Sequence, residues 1–272
     1  MEDEFSLEGY VAVVTGAGRG IGAGIATTYA RAGADLVLVS RTAAQLEDVA
    51  GVVRGLGRSA LVVPIDVGDV SRAPEIVERT VAAYGRIDVL VNNAGGAAPG
   101  AYLDTTPEAL DEAFHFNVSA PFQLIKQATP YLLESGRASV INVTSRMDRQ
   151  ASRGMVVYGT VKAALAHLTR ILSLELPPRV RVNGIAPGVV ETEALQEVLD
   201  EELRARVISA TPLRRLTTVA DVANAARWLA SPASGNVTGK IIEIDGDAEA
   251  PTMPDDTRDL PTPGPHSRGV PA

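Results

Sequence analysis

Short runs of β-branched and other apolar residues alternate along this chain with longer stretches in which apolar positions recur every three or four residues. The runs are VAVVT (11–15), DLVLVS (35–40), ALVVPID (60–66), IDVLVNN (87–93), ASVINVTS (138–145), RVRVNGIAP (179–187) and GKIIEID (239–245). Between them the spacing predicts helices to about Ala32, to Leu56, and over 71–85, 107–135 and 155–176. Apolar runs without polar alternation mean strands covered on both faces, as in a parallel sheet with helical crossovers. Seven such strands predict an α/β fold, a single Rossmann-type doubly wound domain over residues 1–250. From Pro251 the pattern stops and prolines crowd the chain. Residues 251–272 are therefore expected to form an irregular tail, disordered or strapped across a neighbouring subunit.

Composition narrows the functional classes. With 272 residues, 46% of them hydrophobic, the chain can bury a large core. A formal net charge of −8 argues against a nucleic-acid or anionic-membrane partner. There are no cysteines, which removes disulfides, thiolate metal sites and cysteine nucleophiles together. The acidic start MEDEFSLEGY lacks the apolar centre of a signal peptide, and no apolar run reaches the ~18 residues that span a bilayer. A cytoplasmic location is expected. His115, His167 and His266 have no ligand spacing, so no metal is expected, and no G-x-S-x-G elbow marks a serine hydrolase.

Chemistry first shows after the first run. VAVVTGAGRGIGAGIATTYARAG places Gly16, Gly18, Gly20, Gly22 and Gly24 between a strand and a helix. Glycine there lets the backbone turn sharply and approach a pyrophosphate, whose charge the helix N-terminus meets. The second strand then ends LVLVSRTAAQ, with Ser40 and Arg41 where a ribose-binding acid would stand for NAD. An arginine there suits a 2′-phosphate, and Arg19 could lie beside it. NADP is the expected cofactor, with NAD the alternative if both arginines are only exposed helix-start residues.

Tyr158 and Lys162 stand at i, i+4, so their side chains share one helix face. Ser145 ends the fifth run, VNNAG (91–95) ends the fourth, Asn117 follows in FHFNVSAPF, and APGVVET (186–192) follows the sixth. All fall at the strand ends where an open α/β sheet presents its ligand crevice. In these motifs, TGAGRGIG, NNAG, Asn117, Ser145, YGTVK and PGVVET, the chain resembles the short-chain dehydrogenase/reductase family over about residues 5–247. The resemblance implies a catalytic tetrad of Asn117, Ser145, Tyr158 and Lys162. It implies cofactor contacts from Gly16, Arg19, Gly20, Ile21 and Gly22, and from Asp66 and Val67 near the adenine. Asn93, Ala94 and Gly95 would line the ribose, and Pro187, Gly188 and Thr192 the nicotinamide end. It also implies a homotetramer or homodimer. IDGDA (244–248) departs from the family pattern, with Asp247 where a second glycine is usual.

A free tyrosine has a pKa near 10, and an ammonium nearby would favour the phenolate by ~1–3 units. Tyr158 is thus expected to serve as general acid/base for a secondary alcohol and its ketone, with Ser145 holding the reacting oxygen. Lys162 would bind the nicotinamide ribose, and Asn117 would anchor a water that carries protons away. The substrate lid is expected between Glu191 and Pro212, with walls from 96–102 and 146–155. The acids of that lid would repel a polyanion, whereas Arg146, Arg149 and Arg153 could welcome an acyl carrier or carboxylate. Around VRVNGIAPGVVETEAL the chain resembles bacterial hydroxysteroid dehydrogenases of the 7α type, which hints at a bulky apolar, steroid-like substrate. A 3-oxoacyl thioester reductase and a non-catalytic NADP-sensing protein remain the alternatives.

Overall fold

In the computed structural model, residues 3–193 and 200–249 are described. The expected tail and the middle of the expected lid lie outside them. The strands are β1 (Val11–Thr15), β2 (Asp35–Ser40), β3 (Ala60–Pro64), β4 (Val89–Asn92), β5 (Ala138–Val143), β6 (Val180–Pro187), β7 (Val190–Glu191), β8 (Thr217–Thr218) and β9 (Ile241–Ile244). The helices are α1 (Gly20–Arg31), α2 (Ala43–Gly55), α3 (Ala73–Tyr84), α4 (Pro107–Phe114), α5 (Ala120–Ser135), α6 (Val156–Glu175), α7 (Glu201–Ala210) and α8 (Val219–Ala230). All seven expected strands form one parallel sheet in the order β3-β2-β1-β4-β5-β6-β9. The chain runs outward from β1 to β3, then returns to place β4 on the other side of β1. That reversal opens a crevice at the carboxyl ends of β1 and β4.

The pleat explains why the strand runs read as continuously apolar. Ala12, Val14, Leu36 and Leu38 point to one layer, with Ile25 and Tyr29 of α1, Leu46 of α2, and Val222 and Leu229 of α8. Their neighbours Val11, Val13, Val37 and Val39 point to the other, with Ile76 of α3 and Leu124 and Leu132 of α5. Val161 and Leu165 of α6 pack with Ala113 and Val118 in a third cluster. Buried apolar side chains at ~1.5–3 kcal/mol each make these layers the main source of stability.

Two local departures from the expected pattern bear on the site. The long helix expected over 107–135 is interrupted by a π-turn over His115–Ser119, which holds Asn117. Such an insertion turns one residue of a helix out of its regular register. In the IDGDA turn, Gly246 and Asp247 both take left-handed conformations, with φ of +69° and +64°. The turn that two glycines would make is therefore kept, at a strain of about 1 kcal/mol for the aspartate.

Candidate active site

The loop from β1 into α1 is a cradle closed by its own backbone. Gly16 has φ +64° and Gly20 φ +56°, conformations that favour glycine. A Cβ on Gly16 would lie 2.7 Å from Asn93 Nδ2, and one on Gly22 would collide with the Gly16 carbonyl. Asn93 fixes the loop by donating from Nδ2 to the carbonyls of Thr15 (3.0 Å) and Gly16 (3.3 Å). The Thr15 hydroxyl accepts from the amides of Asn93 and Ala94, tying β1 to β4. Helix α1 begins after Arg19 with no side-chain cap and no acid in its first turn. Its first amides and the positive end of its dipole are thus left for an anion, which fits a pyrophosphate.

Two cavities meet at this loop, and Arg19, Asn93 and Gly95 border both. The smaller, of about 370 Å³, is bounded by Gly16, Arg41, Asp66, Val67 and Ala94. Ser40 also lines it, as do Thr42, Gln45 and Phe116, which no sequence motif marks. Ser40 Oγ is buried without a hydrogen-bond partner, a donor waiting for an acceptor. Arg41 is 78% exposed, and its guanidinium lies 3.8 Å from the Asp66 carboxylate across the cavity mouth. These residues fit the ribose and adenine end of a dinucleotide.

The larger cavity, of about 510 Å³, joins Ile21, Ser145, Tyr158, Lys162, Pro187, Gly188 and Thr192. A buried polar chain holds their elements in register. Asn92 of β4 donates to Asn142 of β5 (2.9 Å), Asn142 donates to Thr169 of α6 (2.8 Å), and Thr169 donates to the Leu165 carbonyl (2.8 Å). Ser145, 7% exposed, caps the turn Arg146–Asp148 by accepting from the Met147 amide and also hydrogen-bonds the Tyr158 phenol. Lys162 is buried, with Nζ donating to the Val143 carbonyl (3.1 Å) and lying 5.8 Å from the Tyr158 ring centre. A Cβ on Gly95 would come 3.0 Å from that Nζ and 2.7 Å from Asn117 Oδ1, so only glycine leaves room.

Asn117 lies directly behind Gly95, which lines both cavities. Its side-chain amide accepts from the Gly96 amide (2.8 Å) and donates to the carbonyls of Gly96 and Ala113 (2.9 Å each). The side chain holds the Gly95–Gly96 loop beside Lys162. The protonation states differ from expectation. Burial pushes the Tyr158 phenol up, with Asp148 adding to the rise and only the Ser145 hydrogen bond opposing it. Lys162 is brought down to about 8 by its own burial, with Asp148 opposing. Desolvation sets the direction for both groups, raising the phenol and lowering the ammonium, where a pull of the ammonium on the phenol was expected.

Two of the arginines proposed for an anionic substrate are tied to the chain at and after β9, and one of them, Arg146, also lines the large cavity. Arg149 forks onto Glu243 (2.7 and 2.5 Å) and Glu249 (2.9 and 2.8 Å). Arg146, buried, donates to the Ala248 carbonyl, and Gln150 donates to that of Glu249. Together they fasten the chain after β9 to the turn that carries Ser145. The substrate side of the large cavity is bounded by Ala97, Pro99, Met147, Met155, Val189 and Val190, with Arg146, Ser152 and Glu193 also in its lining. Among the described residues no cluster of acids and histidines is arranged to hold a metal, and no helix is long and apolar enough to cross a membrane.

A family model described as enoyl-(acyl carrier protein) reductase matches residues 16–247. The chain is 48% identical to an uncharacterized oxidoreductase of Mycobacterium tuberculosis, across 96% of this chain and 98% of that one. It is 34% identical to a 3-oxoacyl-[acyl-carrier-protein] reductase of Thermotoga maritima, across 88% of this chain and 98% of the relative. A solved 7α-hydroxysteroid dehydrogenase, complexed with NADH and 7-oxo glycochenodeoxycholic acid, superposes with a TM-score of 0.87 at 34% identity, covering 91% of this chain and 97% of that one. The family match spans residues 16–247, from the first glycine of the cradle to the turn after the last strand, and the chain belongs to the short-chain dehydrogenase/reductase family of oxidoreductases.

Proposed function

We propose that this enzyme is an NADP(H)-dependent dehydrogenase/reductase that interconverts a bulky, apolar secondary alcohol and its ketone, with Tyr158 as general acid/base. The observation that carries the reading is the hydrogen-bonded Ser145–Tyr158 pair facing an apolar cavity that continues into a dinucleotide-shaped groove. The cofactor, when bound, supplies the hydride or takes it back. Ser145 and Tyr158 converge on the substrate oxygen, where the serine holds it and the phenol donates its proton during reduction. Burial keeps that phenol protonated at neutral pH, the form ketone reduction needs. Lys162 would bind the nicotinamide ribose and Thr192 the carboxamide. Gly16, Gly20, Ile21, Gly22, Asn93, Ala94, Gly95, Pro187 and Gly188 would bound the rest of the cofactor. The homo-oligomeric state expected from the resemblance, a tetramer or dimer, belongs to the same proposal.

The test is a panel of ketones and alcohols, steroids included, with both nicotinamide cofactors and absorbance of the reduced form as the signal. Tyr158→Phe should lower turnover about 10²- to 10⁴-fold, the usual contribution of a general acid, while cofactor affinity stays near wild type. Retained turnover sinks the assignment. Acetoacetyl-CoA belongs in the panel because a 3-oxoacyl thioester reductase is the second reading, favoured by the Thermotoga relative. Against that reading, Arg149 is spent on Glu243 and Glu249 and has no fork left for a carrier phosphate. Tight NADP binding without reduction of any ketone would instead indicate a cofactor sensor.

A further inference from the structure

The π-turn His115–Ser119 sends three consecutive side chains to three different places around the smaller cavity. In a regular helix such neighbours share no face, and the extra residue of a π-turn re-aims them. Asn117 turns to the Gly95–Gly96 loop after β4. Phe116 lines the smaller cavity itself. His115 reaches the loop after β3, where its Nε2 lies 2.8 Å from the Gly68 carbonyl oxygen. A carbonyl only accepts, so that ring nitrogen carries the proton and donates.

Through Gly68 this contact is passed to the cavity wall. The Gly68 amide donates to Asp66 Oδ1 (2.9 Å), and its carbonyl accepts from the Val70 amide (3.1 Å) as well as from His115. The edge of the Phe116 ring lies 3.5 Å from where a Gly68 Cβ would stand. Residues 65–69 run between β3 and the short turn Val70–Arg72 with no strand or helix of their own. Side-chain contacts from the π-turn therefore help to set where Asp66 and Val67 stand, and both line the same cavity as Phe116.

We propose that His115 is a positioning residue for the cofactor: by holding Gly68 on the π-turn, it fixes Asp66, Val67 and Phe116 as one wall against the adenine base. The inference rests on the dinucleotide reading of the groove.

The test needs no substrate. The full chain is titrated calorimetrically with NADPH and with 2′-phospho-ADP-ribose, which keeps the adenine end and lacks the nicotinamide. In His115→Ala both dissociation constants should rise about 3- to 10-fold, the worth of one neutral hydrogen bond. The Gln side chain carries its amide nitrogen as many bonds from Cα as the His Nε2, so His115→Gln should restore both affinities. His115→Asn, whose amide stops at the place of Nδ1, should not. Amide hydrogen exchange over residues 66–70 should quicken in the Ala and Asn variants and return to the wild-type rate in Gln. His115 is exposed, and if the Ala variant does not fold, the Gln and Asn pair makes the same comparison. Wild-type affinity in a folded Ala or Asn variant, or an equal loss in Gln, overturns the proposal. A wild-type chain that binds neither NADPH nor the fragment would instead retire the dinucleotide reading, so the two failures are distinguishable.

Discussion

Ser40 and Arg41 stand side by side at the end of β2, yet only one of them declares itself in the sequence. Arg41 is legible because the residue after that strand has a known place beside the adenosine ribose, and a cation there suits a 2′-phosphate. Ser40 needs the structure, because its hydroxyl gains meaning only from being buried with no partner. The Arg41–Asp66 pair is solvent-exposed and loose at 3.8 Å, so it holds the guanidinium weakly and leaves it free to turn toward a ligand. A charge-assisted bond contributes ~1.5–3 kcal/mol, or about 10- to 150-fold in affinity. Arg41→Asp should accordingly weaken NADP binding by that factor and leave NAD binding unchanged or tighter, as read by calorimetric titration with each cofactor. Equal wild-type affinity for the two would remove the premise. Tyr158 teaches the opposite lesson: its helix position beside Lys162 was legible, but the direction of its titration was not. Four-residue spacing shows that two groups share a face; it does not show how much water they lose.

At the scale of elements, the glycines after β1 look alike in sequence and do different work. Gly16 and Gly22 close the anion cradle, whereas Gly24 faces α8, where a Cβ would run into Val219 Cγ1. That contact joins α1 to a helix almost two hundred residues away, so no local pattern could assign it. Gly24→Ala should destabilise the fold by ~1–3 kcal/mol through overpacking, and Val219→Ala should recover much of the loss in the double variant. Chemical denaturation of the four proteins measures the coupling. Additive effects would mean that the helices simply separate to make room. The strands of the large sheet were legible to within two residues, because each is a short run dominated by β-branched and other apolar residues. The π-turn at Asn117 was not, because its apolar pattern continues from α4 into α5 and the extra residue shows only in the hydrogen bonding. The short β7–β8 pair escaped for a similar reason, as two-residue strands carry no periodicity.

At the scale of the whole molecule, the sheet needs both layers of helices, and the outer surface of α6 is unlike that of an ordinary covering helix. Its inner face buries Val157, Val161 and Leu165, while Ile171 and Leu174, three residues apart, remain 45% and 84% exposed. Phe122 on α5 is 44% exposed as well. A large aliphatic side chain left in water near the end of a long helix forfeits ~1.5–3 kcal/mol that burial against a partner would return. The net charge of −8 opposes association, so a stable oligomer must draw on apolar contact of this kind. The wild-type chain is expected to sediment at two or four times its own mass. Leu174→Glu, at a position that contributes nothing to the monomer's core, should shift it toward the monomer while leaving its circular dichroism unchanged. A wild-type monomer, or a Leu174→Glu protein that assembles as before, would place the interface elsewhere. Because α6 also carries Tyr158 and Lys162, activity lost on dissociation and regained at high protein concentration would show that assembly steadies the catalytic helix.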